Sequence, residues 1–310
     1  MSVICLIDNT EHECIEHLHI YLRKLKVTQE KYYTNFLNKR DLFTGDPIPF
    51  KDAEQYLNTS FTDKRHLKKW VKANPVAGKE WCINWLKKRI ETKKLVFAPT
   101  QAELNSLSGP TMHYFETIGG YNNICQSLGL KIRFNSSDIV YKSLPKDATL
   151  IIDTREQYPL DIKMQFKVDT VNTGDYAIAD PYDKKIYIER KSMMDFMGTL
   201  SKDLGRFNRE IERAKENSAY LVVLIECPMA DVVSMDYKRK KMKHLAAMKA
   251  TSSHIFRNMR EIMKTFENIQ FLFVENRDAA AKAVIKIFEL GESAKDIDLQ
   301  YKYETKELEF

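Results

Sequence analysis

Downstream of residue 148 the apolar positions fall into short runs and helical stripes that alternate along the chain. Residues 149–153 form an apolar run ending on an acid, 163–170 alternate imperfectly and 185–190 alternate cleanly, so each segment predicts a strand. Residues 220–226 and 269–275 are almost wholly apolar, as expected of central strands covered on both faces. Helical spacing predicts helices over 193–200, 203–217, 245–266 and 277–290, and Ser192 with Asp195 opens the first of these as a capping box. Strands alternating with helices predict an α/β domain.

Upstream the periodicity is mostly helical. Residues 81–90, which include Trp81 and Trp85, read as an amphipathic basic helix. Pro99-Thr100-Gln-Ala-Glu103 predicts a capped helix start, because threonine can accept from a free amide while the acid reaches back. Gly109-Pro110 and Gly119-Gly120 then break the chain into short helices that read as a helix-turn-helix unit. The expected division is a helical accessory domain over 1–135, a polar linker over 136–147, the α/β domain over 148–290 and a loosely ordered charged tail over 291–310.

A length of 310 residues suits two domains, and an apolar fraction of 44% suits ordinary cores. No run approaches the roughly 18 apolar residues that span a bilayer, and the short apolar start reads as a strand, not a signal peptide. The five cysteines are scattered without a C-x-x-C pair, which fits reduced thiols in an intracellular compartment. His12, Cys14, His17 and His19 are close in sequence, but spread around a helix and lack a partner pair, so an ordinary helix is the better reading than zinc.

The net charge of +6 permits a nucleic-acid partner without requiring one. Lys238, Arg239, Lys240 and Lys241 form a dense basic segment between a strand and a helix, either a solvated loop or a phosphate-contacting one. Arg206, Arg209 and Arg213 recur as a stripe that is either solvated or DNA-facing. Met259, Ile262, Met263 and Phe266 form an apolar stripe suited to a core.

The chemistry concentrates at Ile188-Glu189-Arg190-Lys191. On a strand, Glu189 and Lys191 share a face while Arg190 points away. Gly174-Asp175 supplies a further carboxylate in a turn, and Asp153 and Glu156 supply two more. Oxygen ligands for a divalent cation beside an ammonium are what metal-assisted phosphodiester hydrolysis requires.

Asp153-x-x-Glu156, Gly174-Asp175-Tyr176 and Glu189-Arg190-Lys191-Ser192 with Asp195 together resemble the nuclease domain of the XPF-type structure-specific endonucleases, and the likeness continues through Gly205-Arg206-Phe207. The resemblance implies a restriction-endonuclease-like α/β nuclease domain behind a mostly α-helical N-terminal domain. It implies a Mg²⁺-dependent DNA endonuclease, with Mn²⁺ a possible substitute, acting at branched or flap structures in DNA repair or recombination. The implied catalytic set is Asp153, Glu156, Asp175, Glu189, Arg190 and Lys191, with metal held by Asp153, Asp175, Glu189 and the Arg190 carbonyl. A cytoplasmic or nucleoid-associated setting and a homodimer through the C-terminal helices of the domain also follow. Glu210 departs from the pattern, since the family often has glutamine there. Residues of roughly 80–131 resemble the helical repeat associated with homing endonucleases, which implies DNA contacts from Thr111, His113, Tyr114 and Tyr121. A sequence-directed endonuclease, or a DNA-binding scaffold without activity, are the alternatives.

Overall fold

The computed structural model describes residues 3–4, 11–12, 15–24, 75–107, 109–135, 144–241 and 250–308, and it divides the chain into two units. The first takes residues 1–96 and 107–130, the second 97–106 and 131–310.

In the first unit, strands β1 (Val3–Ile4) and β2 (Glu11–His12) pair antiparallel beside helix α1 (Ile15–Lys24). Cys14 and the side chains of His17 and His19 lie outside the described residues, so the candidate zinc cluster does too. Helix α2 (Pro75–Lys93) buries Trp81, Cys82 and Leu86 along one face. The Gly109 backbone lies against the indole of Trp85, so closely that a Cβ there would sit 2.2 Å from the ring. Short helices α4 (Met112–Thr117) and α5 (Tyr121–Ser127) follow, held by Phe115 against Tyr121 with ring centroids 5.4 Å apart.

The intervening helix α3 (Gln101–Asn105) belongs to the other unit. Its capping box forms as the sequence predicts, with Thr100 and Glu103 each accepting from the other's amide. The Gln101 amide donates to Asp298 at 2.7 Å, and the side chains of Gln101 and Asn105 donate to Glu304 at 2.6 and 2.5 Å. The Pro99–Leu104 stretch, expected in the accessory domain, is thus built into the α/β unit.

That unit is a six-stranded mixed sheet in the order β4-β3-β5-β6-β7-β8, made of β3 (Leu150–Asp153), β4 (Phe166–Asp169), β5 (Tyr176–Ile178), β6 (Ile186–Lys191), β7 (Tyr220–Ile225) and β8 (Ile269–Phe273). The pair β3/β4 and the run β6/β7/β8 are parallel, whereas β5 is antiparallel to both its neighbours. Strand β7 is buried throughout, in keeping with its unbroken apolar run, and edge strand β4 is exposed throughout.

Alternation sends successive side chains to two separate cores. Val222, Leu224 and Leu272 pack under helix α10 (Arg277–Leu290) and the C-terminal segment. Leu221, Val223 and Phe271 pack under α6 (Met193–Thr199), α7 (Leu204–Glu216), α8 (Met229–Lys241) and α9 (Ser252–Thr265).

Two expectations need correction. The segment expected as a loose tail is a 3₁₀ turn (Gly291–Lys295) followed by helix α11 (Leu299–Glu304), and it buries Ile297, Leu299 and Leu308 in the first of these cores. Buried glutamines fasten it: Gln270 accepts from the Leu299 amide at 3.1 Å, and Gln300 accepts from the Phe273 amide at 2.8 Å. Residues 238–241 close α8 and are not a loop, although their side chains, with 242–249, lie outside the described residues. The stripe of Met259, Ile262, Met263 and Phe266 is buried within this chain, as its spacing predicts for a core face.

Candidate active site

Gly174 makes the site possible. It holds φ +73°, in the left-handed region, and a Cβ there would sit 2.8 Å from the Ile188 carbonyl. With no side chain in the way, the Asp175 amide donates to that carbonyl at 2.8 Å, and the Arg190 amide donates back to Asp175 Oδ2 at 2.8 Å. Asp175 is thereby fixed beside β6 at the level of Glu189.

Asp175, Glu189 and Lys191 line one open cavity of about 350 Å³. As alternation requires, Glu189 and Lys191 share a face of β6, and they form a close ion pair there. The Lys191 ammonium also lies 5.6 Å from the ring centroid of Phe207. Burial pulls the Lys191 pKa down, but Glu189 and then Asp175 outweigh it and hold the ammonium above its ordinary range. Burial, and next the charge of Glu189, push the Asp175 carboxyl up to about 8. The two carboxylates are neighbours, and Lys191 is paired with only one of them.

Arg190 points the other way. Its guanidinium makes a two-bond fork with Glu156, Nε to Oε2 at 2.9 Å and Nη2 to Oε1 at 3.0 Å, and reaches Glu226 at 3.0 Å. Arg277 donates to the same Glu226 oxygen at 2.9 Å and to the backbone carbonyls of Tyr158 and Pro159. Glu156 and Arg190, expected at the catalytic centre, are thus paired outside the cavity lining.

Asp153 is buried and does not line the cavity. Its Oδ1 accepts from the Arg155 amide and Nε at 2.8 and 2.7 Å, and its Oδ2 accepts from Arg155 Nη2 and the Val171 amide at 3.1 and 2.7 Å. Burial opposes its ionisation, but these bonds win and hold the carboxyl below its ordinary value. Both oxygens are engaged, which does not suit Asp153 to the metal-ligand role expected of it. Asp195 is exposed, and its amide and carboxylate bond Ser192 at the start of α6.

The cavity also gathers Arg155 and Glu210, to which the sequence gave no role in the site, and Arg206 and Arg213 from the stripe read as solvated or DNA-facing. Arg155 reaches its edge, with its side chain 71% exposed although one end is held by Asp153. Helix α7 contributes Arg206, Glu210 and Arg213. Burial, and next the negative charge of Glu189, raise the Glu210 pKa. The signal was present in the spacing: positions 206, 210 and 213 form one stripe beside the buried stripe of Phe207, Ile211 and Ala214. Arg209, from the stripe expected to face DNA, is exposed and does not line the cavity.

Of the residues expected to reach DNA from the helical part, Thr111 and Tyr121 are buried in the first unit. His113 and Tyr114 are partly exposed.

Among the described residues no three His, Cys, Asp or Glu side chains gather tightly enough to hold a metal on their own. The donor set still fits a hard divalent cation of the Mg²⁺ kind. Asp175 and Glu189 are neighbouring oxygen donors on one open cavity, Asp175 makes no ion pair among the described residues, and such a cation keeps several waters and takes one or two carboxylates. No described helix is long and apolar enough to cross a membrane.

Residues 152–287 match the family model of the ERCC4 domain, a span that contains every residue of the cavity. Among solved structures, XPF from Aeropyrum pernix in complex with DNA is 19% identical with a TM-score of 0.34, over 46% of this chain and 62% of that one. XPF from Aeropyrum pernix is likewise 19% identical, with a TM-score of 0.33 over 47% of this chain and 68% of that one. This chain therefore spans less than two thirds of the first of these structures. No curated protein matches.

Proposed function

We propose that the protein is a divalent-metal-dependent DNA endonuclease acting at branched or flap structures. The observation that carries this reading is the convergence of Asp175, Glu189 and Lys191 on one cavity, inside the segment that matches the ERCC4 domain. In this reading Asp175 and Glu189 hold Mg²⁺ or Mn²⁺, with the Arg190 carbonyl as a further ligand. When bound, the cation neutralises charge building on the phosphate oxygens and lowers the pKa of a coordinated water. Lys191, held cationic by Glu189, orients the attacking water or the scissile phosphate. Asp153 acts indirectly by fixing Arg155, and Arg190 by tying Glu156 and Glu226 to the strand that carries Glu189.

DNA repair or recombination is the setting that this activity suits. A homodimer through the C-terminal helices of the domain remains part of the proposal, on faces of those helices other than the buried stripe of α9. The sequence-directed alternative draws little support from the helical part, where Thr111 and Tyr121 serve the core and Pro99–Leu104 packs in the α/β unit.

Purified protein should nick flap, fork or four-way-junction DNA in Mg²⁺ and leave plain duplex largely intact. Asp175→Asn and Glu189→Gln should each lower the rate by about 10²-fold or more. Equal rates for both variants and the wild type would sink the assignment. Cutting of linear duplex at one sequence would replace it with the sequence-directed reading.

A further inference from the structure

The arginines around the cavity differ in how far their guanidinium groups are engaged. Arg155 is held by Asp153, Arg190 by Glu156 and Glu226, and Arg277 by Glu226 and two carbonyls. Arg206 and Arg213 line the cavity, yet neither guanidinium makes a hydrogen bond or ion pair among the described residues. Both are fixed at their base, because Phe207, Ile211 and Ala214 seat α7 in the core beneath β7. An engaged arginine supports the fold. One held at its root with its head unpartnered over a cavity is available to an incoming anion.

Glu210 lies between the two on the same helical stripe and lines the same cavity. It too lacks a direct ion pair, being repelled by Glu189 and attracted by Lys191, Arg213 and Arg206. Its carboxylate is the negative charge that these cations face when no ligand is present.

We infer that Arg206 and Arg213 form a subsite for a backbone phosphate of the DNA strand, and that Glu210 is the counter-charge against which that phosphate must bind. The choice of DNA as ligand rests on the nuclease reading. Planar guanidinium groups match phosphate oxygens and are only weakly hydrated, so the exchange of water for phosphate costs little. Glu210 repels the same phosphate. The subsite is therefore weaker than its two arginines alone would make it, and removing the carboxylate should tighten binding.

The test is anisotropy of a fluorescein-labelled forked DNA, titrated with protein in EDTA at several salt concentrations. Each neutralised phosphate contributes about 0.9 to the slope of log K against log salt. Arg206→Gln and Arg213→Gln should each reduce that slope by about one phosphate's worth, whereas Lys215→Gln, on the exposed side of α7, should leave it unchanged. Glu210→Gln should bind the fork several-fold more tightly at low salt, a gain that misfolding cannot produce.

Unchanged slopes in both arginine variants, an equal loss in Lys215→Gln, or no binding by the wild type would overturn the subsite. Unchanged or weaker binding by Glu210→Gln would remove the counter-charge. Cleavage of the same fork in Mg²⁺ is scored separately. Slopes that fall in a protein that never cuts would support the subsite and reject the nuclease reading.

Discussion

The backbone N–H of Arg190 donates to Asp175 Oδ2 at 2.8 Å while the Arg190 side chain runs to Glu156 and Glu226. One residue thus serves both the cavity and the network outside it, through different atoms. Substitution at position 190 deletes the guanidinium and leaves the amide. Arg190→Ala should accordingly cost stability first, by about 3–5 kcal/mol, because it strands a buried glutamate without its partner. Arg190→Lys should recover only part of this, since an ammonium cannot make the two-bond fork. Urea denaturation of the two variants would check the order, and a neutral Arg190→Ala would contradict it.

Asp175 gives the unliganded protein a pH signature. Its carboxyl is pushed up to about 8 in the folded state and titrates in the ordinary carboxylate range when unfolded. Between these values the folded state holds a proton that the unfolded state has lost, so this group's contribution to stability falls as pH rises. The slope can approach about 1.4 kcal/mol per pH unit. In EDTA, wild type minus Asp175→Asn should show this decline between roughly pH 5 and 8. Parallel stability curves for the two proteins would refute the unfavourable facing of Asp175 and Glu189.

Gly174→Ala should damage fold and site together. The new methyl would meet the Ile188 carbonyl, and φ is positive, so a loss of about 1–3 kcal/mol is expected along with most activity. Thermal melts beside cleavage assays measure both, and a wild-type melting temperature would show that the turn can relax.

Leu299→Ala should cost about 2–5 kcal/mol, in the range of core truncations, although it lies outside the segment matched to the ERCC4 domain. A change below about 0.5 kcal/mol in urea would mean that the C-terminal segment is dispensable.

How legible these features were depends on the scale of the pattern that encodes them. The strand carrying Asp153 is an apolar run that ends on the acid and the strand carrying Glu189 alternates over six residues, so both could be read directly. The opposed directions of Glu189 and Arg190 followed from alternation alone. Thr111 and Tyr121 could not be assigned a direction, because their helices run only six and seven residues and establish no face. The C-terminal segment was misread for a different reason. Ile297, Leu299 and Leu308 are too few and too scattered among charges to show a period, and partners far away in sequence decide their burial. The same holds for Asp153, whose engagement by Arg155 and Val171 depends on how the chain turns after β3.

Because α3 comes from a stretch far upstream and bonds Asp298 and Glu304, the chain passes between its two units three times, at 96–97, 106–107 and 130–131. A fragment trimmed to residues 152–287 would lose α3 together with Asp298 and Glu304, and with them the C-terminal segment that packs on the sheet. The α/β unit of this protein is therefore not a portable cassette: whoever wishes to transplant it must carry along a ten-residue splint from the other side of the sequence.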